Sequence, residues 1–81
     1  MKITQKLTDE LVIWFERYVV ISPNRIAELS KKYSNYKWFE YNDGNCDVTW
    51  VLAKNNKMAA DLINFKMEEN VAMEKDFTEI V

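Results

Sequence analysis

Chemistry has few footholds in this chain of 81 residues. Histidine is absent and Cys46 is the single cysteine, which removes Ser-His-Asp and Cys-His catalysis and the usual zinc motifs. Cys46 has no neighbouring basic side chain to activate it, and its alternation with Val48 and Trp50 reads as a buried strand position. The string Asp43-Gly44-Asn45-Cys46-Asp47 has the opening of a calcium loop. Its glycine comes too early, however, and the twelfth position is Lys54 rather than Glu. Glu68 and Glu69 are adjacent, so on a helix they point in different directions and give acid–base catalysis little support. Gly44 is the only glycine, and no phosphate-cradling loop can be built from it. The expectation is a non-enzymatic protein with no cofactor and no metal, working by recognition.

Recognition has better material. Tyr33, Tyr36, Trp38, Phe39 and Tyr41 crowd into nine positions and lead into Asn42-Asp43-Gly44-Asn45, beyond which run Val48, Trp50, Val51 and Leu52. An Asp-Gly pair between alternating apolar residues is a strong hairpin signal. With Asp43-Gly44 at the turn centre, Asn42 faces Asn45, Tyr41 faces Cys46, Phe39 faces Val48 and Lys37 faces Trp50. Phe39, Tyr41, Cys46, Val48 and Trp50 then share a core face. A slip by one residue would pair Trp38 with Trp50 instead, with poorer segregation of apolar side chains. The preferred register leaves Tyr36, Trp38, Glu40, Asp47, Thr49 and Val51 on the second face. Tyr36, Trp38 and Val51, rimmed by Glu40, Asp47 and Lys37, have the make-up of a protein-binding patch, with aromatic anchors and a polar rim.

The flanking elements must position that hairpin. Thr8 reads as an N-cap with Asp9 and Glu10 behind it, and Leu11, Val12, Phe15, Tyr18 and Val19 recur at helical spacing. A first helix from about Asp9 to Val20 follows, with a strand near Val19-Val20-Ile21 as the competing reading. Ser22-Pro23 starts a second helix with the stripe Ile26, Leu29 and Tyr33, closed by Lys31 and Lys32 where cations are favoured. Asn55-Asn56 opens a third through Met58, Ala59, Leu62, Ile63 and Phe65, ending near Asn70, with Phe65 expected in the core. The tail from 71 to 81 fits either a helix through Met73, Phe77 and Ile80 or a strand added to the hairpin. The predicted fold is therefore α+β: two N-terminal helices, an antiparallel hairpin at about 36–42 and 46–52, and a C-terminal helix packed on it.

Length and composition bound the rest. Residues 1–81 read as a single compact domain. A chain of this size buries roughly 60 % of its unfolded surface, so a partner or a homodimer would add needed stability. Hydrophobic residues at 48 % and charged residues at 30 %, with one glycine and one proline, argue against disorder. A lone cysteine makes no internal disulfide, no apolar run resembles a signal peptide, and none spans a bilayer, so a cytoplasmic protein without membrane association is expected. Net charge is −2, distributed unevenly: residues 1–41 carry seven basic and five acidic groups, residues 42–81 four basic and eight acidic. The acidic groups of the second half, among them Asp61, Glu68 and Glu69, would repel nucleic acid and suit a basic protein partner.

Two functional expectations follow. Small, acidic, cysteine-poor proteins of this kind resemble the accessory inhibitors of phages and mobile elements. That resemblance, one of size and charge, implies a protein that blocks a host protein such as a nucleic-acid enzyme. The alternative starts from Ile-Ala-Glu-Leu-Ser-Lys-Lys-Tyr within residues 22–34, which resembles the first helix of a helix-turn-helix motif. A recognition helix should follow, yet Tyr36 to Tyr41 reads as strand. What the resemblance implies is a winged-helix-like regulator using the 22–34 helix and the hairpin, and the acidic second half argues against direct nucleic-acid binding.

Overall fold

A computed structural model describes residues 2–15, 23–42 and 48–80. Its elements run α1 (Gln5–Leu11), β1 (Val12–Phe15), α2 (Pro23–Lys32), β2 (Lys37–Tyr41), β3 (Val48–Ala53), α3 (Asn56–Met67), a 3₁₀ turn at Glu74–Asp76 and β4 (Phe77–Glu79). The four strands form one antiparallel sheet in the order β1-β3-β2-β4. The mixed helix-and-sheet class is as the sequence predicts, and the arrangement departs from it in two places.

The first helix begins and ends earlier than its periodicity suggests. Thr4, in extended conformation, is the N-cap, its hydroxyl accepting from the Leu7 N–H at 3.1 Å. Thr8, the expected cap, sits inside the helix, fully buried, and its Oγ1 donates to the Thr4 carbonyl at 2.8 Å. At Val12 the backbone turns extended and joins the sheet, with Val12 opposite Val51 and Ile13 opposite Trp50. β-Branched residues suit a pleated surface better than a helix end, and here the sheet supplies the partner strand. The rest of the expected helix, residues 16–20, and the alternative strand near Val19–Ile21 fall outside the described residues.

The register between β2 and β3 also differs. Phe39 pairs with Val51, Tyr41 with Thr49 and Lys37 with Ala53, a slip of three positions from the expected pairing. Residues 42–48 thus separate the last pair, too many for a two-residue turn. Asp43 and Gly44 themselves fall outside the described residues. An odd slip exchanges the faces of β3, so Val51 joins Phe39 and Tyr41, while Trp50 and Leu52 join Trp38. The reason lies in β3's central place. Val51, Leu52 and Ala53 are all 0 % exposed, as in a strand covered on both faces, where a continuous apolar run replaces alternation. The expected register assumed one wet face.

The tail, left open between a helix and an added strand, takes the strand. Residues 77–79 form β4 along β2, with Tyr41 opposite Phe77 and their rings stacked at 5.0 Å. Backbone bonds from Asn42 to the Asp76 carbonyl and from Ile80 to the Trp38 carbonyl extend the pairing at both ends. Asn56, in the first turn of α3, holds the tail by donating to the carbonyls of Glu74 and Phe77, both at 3.1 Å.

α2 and α3 match their sequence signals closely. Asn55 caps α3 by accepting from the Met58 N–H at 2.9 Å, and Ala59, Ala60, Leu62 and Ile63 form its buried side. They close one core with Leu11, Phe39, Tyr41, Val51 and Phe77. α2 buries Leu29 and ends with Lys31 and Lys32. Among the described residues no helix is long and apolar enough to cross a membrane.

Candidate functional site: the outer face of the third helix

The expected hairpin patch is largely taken up by the fold. Trp38 is half-buried, and its indole N–H donates to Ser30 Oγ at 2.8 Å, so α2 approaches that face of the sheet. Its ring lies 6.1 Å from that of Trp50, its diagonal neighbour. Tyr36, also half-buried, stacks on Tyr33 at 5.1 Å. Glu40 is half-buried between Trp50 and Thr78 in the register. Val51 lies on the Phe39 face and is fully buried, which removes it from any surface patch. Asp47 falls outside the described residues.

A carboxylate clamp holds α2 to α1. Glu10 accepts from Lys32 Nζ at 2.6 Å and from the Tyr33 hydroxyl at 2.8 Å. The lysine bond, then the tyrosine bond, hold the Glu10 carboxyl below its ordinary pKa. The same bonds from the other side raise Lys32 and Tyr33. These shifts have a structural cause, the bonds that hold α2 against α1.

The remaining expected residues, Asp61, Glu68 and Glu69, do come together. With Ile3, Asn64 and Phe65 they line an open depression of about 340 Å³ between α3 and the N-terminal segment. Phe65 was expected in the core and is instead 39 % exposed. Leu62 and Ile63 occupy the inner side of the helix, which turns position 65 outward. The charged residues four before and three after it, Asp61 and Glu68, carry that signal in the sequence, because such spacings share a helix face. A second depression of about 320 Å³, lined by Lys54, Lys57 and Met58, shares Ile3 and Asp61 with the first. One groove thus runs along the helix.

The C-terminal end of that groove is built against local preference. Glu68 is in the left-handed region, with φ 56° and ψ 30°, where glycine is usual. The Glu69 N–H reaches the Asn64 carbonyl at 3.2 Å and the Glu68 N–H reaches that of Phe65 at 3.3 Å, the paired bonds of a Schellman stop. A side chain there costs on the order of 1 kcal/mol, and two carboxylates sit at the negative end of the helix dipole. Neither Glu68 nor Glu69 has an ion-pair partner among the described residues. Asn64 braces the following segment, its Oδ1 accepting from the N–H groups of Val71 and Ala72 and its amide donating to the Ala72 carbonyl.

Among the described residues no group of three or more His, Cys, Asp or Glu is placed to hold a metal ion. Comparison with protein-family models, with curated proteins and with solved structures finds no match to this chain.

Proposed function

We propose that this protein is a non-enzymatic binding module that docks another protein on the outer face of α3. One observation carries the reading: Phe65, 39 % exposed, stands in an open depression rimmed by Asp61, Glu68 and Glu69. An aromatic anchor inside a charged rim is the make-up of protein interfaces, and the sign of the rim selects a partner that presents lysine or arginine beside apolar side chains. Such a surface suits the basic cleft of a nucleic-acid enzyme, the target class that size and charge suggest.

The nucleic-acid reading has one feature in its favour. Lys32 lies 5.4 Å from the Tyr33 ring centre and Lys54 5.7 Å from that of Tyr36, at either end of the stacked tyrosines. The two rings already stack on each other, Lys32 is paired with Glu10, and Lys37 with Glu79 at 3.4 Å. Two of the lysines that would follow a phosphate backbone are thus already paired with carboxylates. The protein-binding reading is the better supported.

Affinity capture with purified wild type beside Glu68→Lys/Glu69→Lys and Phe65→Ala variants tests it, followed by titration with the purified captured protein. A partner retained by wild type and lost by both variants is expected. Retention unchanged by the charge reversal sinks the assignment of this face.

A further inference from the structure

We infer that the groove along α3 is also a self-association surface, on which a second copy of this chain lies antiparallel, α3 against α3. The inference rests on the reading of this face as a docking surface and names a further occupant for it.

The argument is the arrangement of charge along the groove. Lys54 and Lys57 stand at its N-terminal end, Glu68 and Glu69 at its C-terminal end, and Ile3, Met58 and Phe65 supply the apolar stretch between them. Within the helix Met58, Asp61 and Phe65 recur at spacings of three and four, one stripe about 10 Å long, with Lys54 just before the Asn55 cap and Glu68 at the C-terminal cap. The first turn of α3 holds no acidic residue, and two carboxylates follow its last turn, where Lys66 is the one basic residue and is paired with Asp9 at 3.7 Å. A second copy related by a two-fold axis near Asp61 complements both ends together. Lys54 and Lys57 of one copy then face Glu68 and Glu69 of the other, next to the negative end of the other helix, and the converse holds by symmetry. Met58 and Phe65 of the two copies meet in the middle.

Asp61 falls on the axis, opposite itself. Its charge is balanced within each copy by Lys57, 3.6 Å away, so the axis does not bring two bare carboxylates together. That bond joins two exposed side chains, 76 % and 49 % accessible, and an exposed pair at this spacing is weak enough for Lys57 to share its ammonium with a facing glutamate. Because one surface serves both occupants, self-association and capture of another protein exclude each other.

Sedimentation velocity over a concentration series of the purified chain tests this, with circular dichroism to confirm that each variant is folded. Wild type is expected to shift from monomer to dimer with concentration, less so at high salt. Lys54→Glu/Lys57→Glu and Glu68→Lys/Glu69→Lys should each weaken the dimer by at least about tenfold. An equimolar mixture of the two variants should recover it, because one then presents acidic groups at both ends of the groove and the other basic groups at both ends. A chain monomeric at every concentration, or a mixture no better than its components, overturns the inference. Monomeric behaviour with intact Glu68-dependent capture overturns the dimer alone and leaves the partner reading standing. A dimer restored by mixing, without such capture, supports the inference and removes that reading.

Discussion

Trp38 and Ser30 are joined by a 2.8 Å hydrogen bond from the indole N–H to the hydroxyl, and this contact ties α2 to the sheet. Trp38 is thus a packing residue with a satisfied polar tip, although the sequence places it among candidates for a free surface. Trp38→Ala should cost about 2–3 kcal/mol, less than a fully buried tryptophan, because a half-buried ring loses fewer contacts. Trp38→Phe and Ser30→Ala should each cost about 1 kcal/mol and, in a double-mutant cycle by urea denaturation, show coupling. A Trp38→Ala protein as stable as wild type would return the residue to the surface.

Leu11 and Phe65 are expected to behave oppositely. Leu11 is 0 % exposed, and Leu11→Ala should lose about 2–5 kcal/mol through the cavity left behind. Phe65→Ala should lose only about 1–2 kcal/mol, since the residue is 39 % exposed, while partner capture falls. Equal destabilisation of the two variants would place Phe65 in the core.

Glu68 offers a gain rather than a loss. Replacing it with glycine relieves the left-handed backbone strain and removes a negative charge from the helix C-terminus, so Glu68→Gly should raise stability by about 1 kcal/mol. The midpoint of denaturation should rise with an unchanged slope. A neutral or destabilising Glu68→Gly would contradict the Schellman geometry at Glu68 and Glu69.

The Glu10 clamp should make stability depend on pH in a definite sense. Folding lowers the Glu10 pKa below its ordinary value of 4.5, so its contribution is fully present above that value and is lost as pH falls through the depressed one. The Lys32 and Tyr33 values are raised from 10.5 and 10.0, so their contributions are present below those values and lost as pH rises beyond them. The clamp is therefore complete from about pH 4.5 to about pH 10. Denaturation midpoints of Glu10→Gln should fall less on acidification than those of wild type. Parallel acid profiles would show that the clamp adds nothing to folding.

The sequence by itself determined those elements whose causes are local. Pro23 with the closing lysines set α2, Asn55 set the start of α3, and the alternation around Phe39 marked β2. Caps and apolar periods act within a turn or two of chain, so the residues that produce them lie next to one another. The absence of histidine also narrowed the chemistry without any structure. Where distant segments compete, only tertiary structure decided. Val12 left the helix because β3 was there to receive it opposite Val51. β3 shifted its register because both of its faces are covered, and the tail became a strand because Phe77 could stack on Tyr41. The acidic candidates Asp61, Glu68 and Glu69 were legible as charge, but their union with Phe65 and Ile3 was not. Ile3 and Phe65 are 62 positions apart in the sequence, and the side of α3 that meets the core is chosen by packing, which turned Phe65 out and Leu62 and Ile63 in.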